Sequence, residues 1–335
     1  MKRGSGLSAG VSYGRALTAF ALRSKNAPGG PVSAFIEPAN VCNLRCPLCA
    51  CGSGALTRPK GRMSIEAFRR VIDALPGSVG ELYLWGQGEP FMAPDFLSMV
   101  AYASAKGFKT VTSTNGHYLD DPEGIAKSGL DVIVVSLDGA DAETYKAYRV
   151  GGDFDRVVNG IRRLSGTVRS MGRGPRIELQ YLVTAESAGQ RGAFVRLAES
   201  VGADRVVFKT IQAASMSGGE SYLPGKTELT RYRTGDDGRL ETDRQMFLKN
   251  RCLRIYYSFQ VDWRGNVLPC CFDKNSEYIM GNLFNDSFGD IWNSEEFLSF
   301  RNILVTSGRI LPMCGDCTEG LKRKTIEVKK IGKRG

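Results

Sequence analysis

The chain has 335 residues, 42% of them hydrophobic and 24% charged, with a net charge of +10. This is the composition of a folded globular protein with room for one large or two ordinary domains. It excludes a disordered chain or a fibrous repeat, and no run approaches the roughly 18–20 apolar residues that span a membrane.

Residues 1–32 are basic with a short apolar stretch. They read as a helical segment capping the fold, with peripheral contact to anionic lipid as the alternative. They lack the continuous apolar core and small-residue cleavage site of a signal peptide, so the expected location is cytoplasmic. From 33 to 211 strand and helix patterns alternate. The predicted strands are SAFIEPA (33–39), ELYLW (81–85), KTVTSTN (109–115), DVIVVSL (131–137), RIELQYLV (176–183) and DRVVFKT (204–210). Each is rich in β-branched or aromatic residues and short enough for a buried parallel strand. Between them, SIEAFRRVIDAL opens on Ser64, a helix-start residue, and PDFLSMVAYASAKG ends at Gly107, a helix-stop residue. FDRVVNGIRRL and GAFVRLAESVG carry apolar residues at helical spacing. Six such units predict an α/β fold with a parallel sheet, open or curled into a partial barrel. Residues 212–244, rich in Gly, Ser, Thr and charge, read as a linker or substrate-covering segment. Residues 245–325 form a smaller cysteine-rich region, and 326–335 a solvated basic tail.

The nine cysteines are clustered, and His117 is the only histidine. Without a secretory signal this favours metal binding over disulfides, and the ligands must be mainly thiolates. Cys42, Cys46 and Cys49 form C-x3-C-x2-C just after the first strand, where parallel α/β folds place their active sites. Random placement of nine cysteines in 335 residues gives this triad only about 0.007 times, so the spacing is a signal. A closed structural site uses four ligands, whereas three leave a metal position open for a cofactor or substrate. Cys51 as a fourth ligand would instead make a Cys-only zinc site.

The triad after the first strand of an α/β repeat resembles the radical S-adenosylmethionine (SAM) superfamily. The resemblance implies a partial (β/α)6 barrel in which the three thiolates hold a [4Fe–4S] cluster. The fourth iron would bind the amino and carboxylate groups of SAM, and reductive cleavage would yield a 5′-deoxyadenosyl radical that abstracts hydrogen. Other strand ends fit the same family. Gly86, Gly88, Glu89 and Pro90 in WGQGEP resemble the GGEP motif that contacts the methionine amino group, with Gln87 where a glycine is usual. Asn115 ends the third strand. Ser136 and Asp138, at the fourth, are suited to ribose hydroxyls. Arg149 could meet the methionine carboxylate, and Gln180 and Lys209 end strands five and six. Leu48 stands where the family usually carries an aromatic residue over the adenine.

Cys252, Gly265 and Cys270, followed by Cys314 and Cys317, resemble the family's SPASM extension. The longer cysteine series of that extension is absent. The resemblance therefore implies one auxiliary [4Fe–4S] cluster on Cys252, Cys270, Cys314 and Cys317, with Cys271 free or in place of Cys270; a zinc knuckle is the alternative. Cys51 and Cys271 are spare thiols that could return hydrogen in an epimerisation. The implied activity is hydrogen abstraction by a SAM-derived radical in an oxidoreductase or rearranging enzyme. The substrate would be a small polar or anionic molecule, or a peptide as in SPASM maturases. A flavodoxin- or ferredoxin-type donor would supply the electron. No basic stripe interleaved with aromatics marks a nucleic-acid surface. From another class, the chain could be a non-catalytic zinc or iron–sulfur module.

Overall fold

A computed structural model describes residues 7–212, 220–225, 230–234, 240–242, 251–314, 317 and 326–331. Its elements in chain order are α1 (Leu7–Ala21), β1 (Ser33–Ile36), α2 (Ile65–Ala74), β2 (Glu81–Leu84), α3 (Phe96–Ala105), β3 (Lys109–Thr114), α4 (Pro122–Lys127), β4 (Val132–Ser136), α5 (Ala142–Tyr148), α6 (Phe154–Met171), β5 (Arg176–Val183), α7 (Arg191–Ser200) and β6 (Arg205–Thr210). There follow β7 (Tyr232–Thr234), β8 (Leu240–Thr242), β9 (Ser258–Val261), β10 (Asn266–Leu268), β11 (Gly281–Asn282), α8 (Phe288–Trp292), α9 (Glu295–Thr306) and β12 (Ile326–Lys330). All six strands expected before residue 211 form, and the expected α/β class with mostly parallel strands holds.

The helices form where local chemistry directs them. Ser64 caps α2 by accepting from the Ala67 amide, and Phe68, Val71 and Ile72 line its buried face. Asp153 caps α6 through the Arg156 amide, and Val157, Ile161, Leu164 and Val168 hold one buried stripe. After α3 the chain turns at Gly107 with φ +85°, a left-handed conformation that glycine adopts without strain.

The chain divides into two compact units. One comprises Met1–Val41, Leu56–Thr112 and Met246–Gly320. In it β9, β1, β2 and β3 run parallel, and β10 and β11 continue antiparallel from β9. The register sets Ser33 beside Ser258 and Phe35 between Gln260 and Tyr83. The cysteine-rich region thus shares a sheet with the first strands of the chain. Ala34, Ile36, Leu82, Leu84, Phe259 and Val261 are buried on these strands.

The other unit comprises Cys42–Ala55, Ser113–Gln245 and Leu321–Gly335. It contains the parallel strands β4, β5 and β6 and the β7–β8 hairpin. Ile326–Lys330, which the sequence assigns to a basic tail, pair antiparallel with β6, and Glu327 bonds Arg191. Lysines suit that position because they discourage an edge strand from pairing with another chain. Of the expected linker, residues 213–219, 226–229, 235–239 and 243–244 lie outside the described residues. Among the described residues no helix is long and apolar enough to cross a membrane.

Candidate functional site

The loop after β1 carries Cys42, Cys46, Cys49 and Cys51. Its turns are set by hydrogen bonds from the Cys49 amide to the Cys46 carbonyl at 3.2 Å and from the Ser53 amide to the Cys49 carbonyl at 2.8 Å. A Cβ at Gly52 would lie 2.5 Å from the Cys46 nitrogen, so only glycine lets the loop close on itself there. Leu44, Cys46, Leu48, Tyr148, Ile211 and Tyr232 form a buried apolar cluster, and Cys42 and Cys49 pack against it. Leu48, expected to cover adenine, thus belongs to this apolar bed. Burial pushes the Cys46 thiol up to about 11, with the Arg149 guanidinium opposing. A bound metal would replace the proton that burial favours.

Asn115 and Arg149 are among the side chains that reach the thiols. The Asn115 amide nitrogen lies 3.7 Å from Cys42 Sγ and donates to Asn43 Oδ1 at 2.7 Å. Its orientation is fixed from behind. Asn115 Oδ1 accepts from the His117 amide at 3.1 Å and sits 3.1 Å from His117 Nδ1, while His117 Nε2 accepts from the Asp153 amide at 2.9 Å. The ring is therefore neutral with its proton on Nδ1. Burial lowers the His117 pKa from its ordinary 6.5. The unfolded chain then binds the proton more tightly, so His117 stabilises the fold above about pH 6.5 and loses that effect as pH falls through its folded value. Denaturation midpoints should drop between pH 7.5 and 5.5 in the wild type and drop less in His117→Gln. Equal drops would exclude this role.

Arg149 is the second contact. One of its terminal nitrogens lies 3.8 Å from Cys46 Sγ, and Nε donates to Asp138 Oδ2 at 2.6 Å. Asp138 Oδ1 accepts from the Leu182 amide at 2.6 Å. Asp138 sits at φ +54°, a left-handed conformation that aspartate tolerates better than most residues. The residue expected at a ribose is held here by Arg149 and by β5, one contact to each carboxylate oxygen. Gln180 donates to Ser136 Oγ at 3.3 Å. Burial lowers the Lys209 pKa, with the Asp138 charge opposing. The structure therefore gathers Cys42, Cys46, Cys49, Leu48, Asn115, Asp138 and Arg149. Ser136 and Gln180 form a separate pair, and Cys51 is half-buried on the same loop.

In the other unit, the turn after β2 holds Gly86, Gly88, Glu89 and Pro90. Glu89 is buried; its amide donates to the Val41 carbonyl at 2.9 Å, and its carboxylate accepts from Phe91 at 3.2 Å. A Cβ at Gly88 would meet the Val41 and Ala39 carbonyl oxygens at 2.7 and 2.8 Å. A Cβ at Gly86 would meet Glu37 Oε2 at 2.4 Å. Glu37 is the residue that sequence reasoning missed. Fully buried, it accepts from the Gln87 amide at 2.8 Å and pairs in a fork with Arg58 at 2.6 and 2.5 Å. Arg58 Nε donates in turn to the Lys274 carbonyl at 2.7 Å. The signal was a lone carboxylate ending the apolar strand SAFIE.

The same unit holds the C-terminal thiols. Cys270 and Cys271 act on one another, which raises the Cys270 thiol and lowers that of Cys271, and Cys314 lies near enough to Cys252, Cys317 and Cys270 for them to add to the upward push of burial. Burial pushes Cys252 and Cys314 up to about 12. Arg309 lies 3.6 Å from Cys317 Sγ and donates to the Arg251 carbonyl at 2.6 Å. All nine cysteines are described, and none forms a disulfide. Among the described residues no three His, Cys, Asp or Glu side chains converge on a single metal ion. A zinc ion draws its thiolates to within about 2.3 Å, whereas a four-iron cluster holds thiolates across its own width. Both cysteine groups fit the cluster by donor type.

The comparisons agree with this chemistry. Residues 36–171 match the radical SAM superfamily, and residues 252–318 match the SPASM iron–sulfur cluster-binding domain. The chain is 24% identical to a tungsten-containing aldehyde ferredoxin oxidoreductase cofactor-modifying protein of Pyrococcus furiosus, over 85% of this chain and 86% of that one. It is 26% identical to the mycofactocin maturase MftC of Mycobacterium tuberculosis, over 86% and 75%. Among solved structures, SuiB of Streptococcus suis bound to the precursor peptide SuiA superposes with a TM-score of 0.60 at 16% identity, over 85% of this chain and 69% of that one. With both domains matched and the relatives spanning most of its length, the chain belongs to the radical SAM superfamily and carries a SPASM domain.

Proposed function

We propose that this chain is a radical SAM oxidoreductase or rearranging enzyme acting on a small polar or anionic substrate. Its cofactors are those of the family: SAM, the radical SAM [4Fe–4S] cluster and auxiliary iron–sulfur binding. When bound, SAM at a reduced cluster supplies cleavage of its sulfonium and a 5′-deoxyadenosyl radical that takes hydrogen from substrate carbon. The observation that carries the reading is the loop of three thiols in a dry bed, with Asn115 and Arg149 reaching two of them.

Cys42, Cys46 and Cys49 hold the first cluster. The Asn115 amide steadies Cys42, and Arg149 places positive charge beside Cys46, where thiolate charge gathers. Asp138 is a positioning residue that aims Arg149. Gly86, Gly88, Glu89 and Pro90 keep the role toward the methionine amino group that their motif implies. Cys252, Cys270, Cys314 and Cys317 hold one auxiliary cluster, and Arg309 places charge beside Cys317. The electron comes from a flavodoxin- or ferredoxin-type donor. A chain of nine cysteines without a disulfide suits a reducing, cytoplasmic compartment.

The small-molecule reading draws on the net charge of +10 and on the cofactor-modifying relative. A peptide substrate is the second reading, favoured by the fold shared with peptide-bound SuiB. Extract from cells grown in deuterated medium separates the two. Reduced enzyme with SAM should form deuterium-labelled 5′-deoxyadenosine when given the small-molecule fraction. Label arising only with the peptide fraction transfers the proposal to peptides, and failure to form 5′-deoxyadenosine under any condition overturns both.

A further inference from the structure

The Gln260 side chain stands out in the sheet. It lies on β9, is fully buried, and neither its amide oxygen nor its amide nitrogen has a hydrogen-bond partner among the described residues. Ser258, two residues earlier and so on the same face, is buried with its hydroxyl equally unpartnered. Buried polar groups are rarely left this way, because burial removes their water and a missing bond returns nothing. A leucine would fill the same space without that cost.

The register shows what lies beside them. Gln260 pairs with Phe35 on β1, and Phe35 pairs with Tyr83 on β2. The Phe35 and Tyr83 rings stack at 4.6 Å and 18°, and Trp85 sets its edge against both at 5.5 and 5.1 Å. Tyr83 and Trp85 are only half-buried, so this aromatic wall has an open side. The Arg254 guanidinium stands 5.9 Å from the Phe35 ring. An aromatic wall that ends in an unsatisfied amide has the makeup of a ligand site: apolar surface for bulk, and a few polar groups for orientation.

We infer that Gln260 and Ser258, with the Phe35–Tyr83–Trp85 wall, form a substrate subsite for an apolar or aromatic group flanked by an amide. The reason is complementarity. A carboxamide side chain presents one acceptor and a pair of donors side by side, and the group that satisfies both ends is another amide. A free carboxamide and a peptide unit present the same chemistry to Gln260. This inference rests on the proposed function, because it assigns part of that enzyme's substrate.

The test uses the full-length, anaerobically reconstituted protein with SAM. Equilibrium dialysis measures three probes: benzamide as a free carboxamide, N-acetylphenylalanine N-methylamide as a peptide unit with no free carboxamide, and benzyl alcohol as an amide-free control. At least one amide probe should bind the wild type about tenfold or more tighter than the control, and Gln260→Leu should lose that preference. Ser258→Ala should weaken the same probe severalfold. Gln260→Leu should also melt at or above the wild-type temperature, since it deletes unpaired buried polar atoms. The tighter amide probe names the source, small molecule or peptide. Equal binding by wild type and Gln260→Leu, binding of no amide probe, or a lowered melting temperature in Gln260→Leu would overturn the subsite. Formation of 5′-deoxyadenosine on the same preparations keeps the two failures apart. Its absence from the wild type sinks the enzyme reading, whereas cleavage without probe discrimination sinks only the subsite.

Discussion

Replacing Cys42, Cys46 and Cys49 together with alanine should take the reconstituted protein from about eight irons per chain to about four. SAM cleavage should fall by about 10³-fold or more, equivalent to about 4 kcal/mol of barrier. The size of the effect follows from the site's construction. The three thiols share one loop, the loop closes on Gly52, and its apolar bed offers no substitute ligand from the Leu44–Tyr232 cluster other than the thiols themselves. Cys46 is the most buried of the three and the one beside Arg149, so Cys46→Ala alone should approach the triple variant. Iron and sulfide analysis reads the loss. A triple variant that retains about eight irons would place the first cluster elsewhere.

The second large effect is on stability. Arg58→Met should destabilise the fold by about 3–5 kcal/mol, because it strands a carboxylate with no exposed surface. Glu37 keeps only the Gln87 amide in that variant, and the Lys274 carbonyl loses its donor. Both lie in the same unit as the turn at Gly86 and the loop after Cys271. The double variant Glu37→Gln/Arg58→Met should recover most of the loss, since it removes both charges and keeps the acceptor for Gln87. Chemical denaturation of the three proteins measures this. A loss under about 1 kcal/mol in Arg58→Met would place the pair in the class of solvated ion pairs.

Much of this molecule is legible in its residues because the informative signals are local. Apolar runs of four to eight residues mark β1 to β6, Ser64 opens α2, and the triad's spacing marks its loop. What escapes is built from distant parts. Glu37 and Arg58 are 21 positions apart, and neither advertises a partner. β9 lies parallel beside β1, a pairing that no local pattern encodes. Asp138 reads as a ribose ligand from its place at a strand end, yet its left-handed backbone delivers the carboxylate to Arg149 and Leu182. Residues 326–330 read as a tail because they sit inside the basic run KRKTIEVKKIGKR, and lysine also suits a protected edge strand. The roles of Asn115 and His117 depend on a chain of hydrogen bonds that ends at the Asp153 amide.

The most direct test of the central claim is 5′-deoxyadenosine formation by two variants side by side, each reconstituted and reduced with dithionite. One lacks Cys42, Cys46 and Cys49; the other lacks Cys314 and Cys317. If the first loop cleaves SAM, the Cys314/Cys317 variant still releases 5′-deoxyadenosine and the triad variant releases none. Release by the triad variant, or its loss only in the other, would contradict the account.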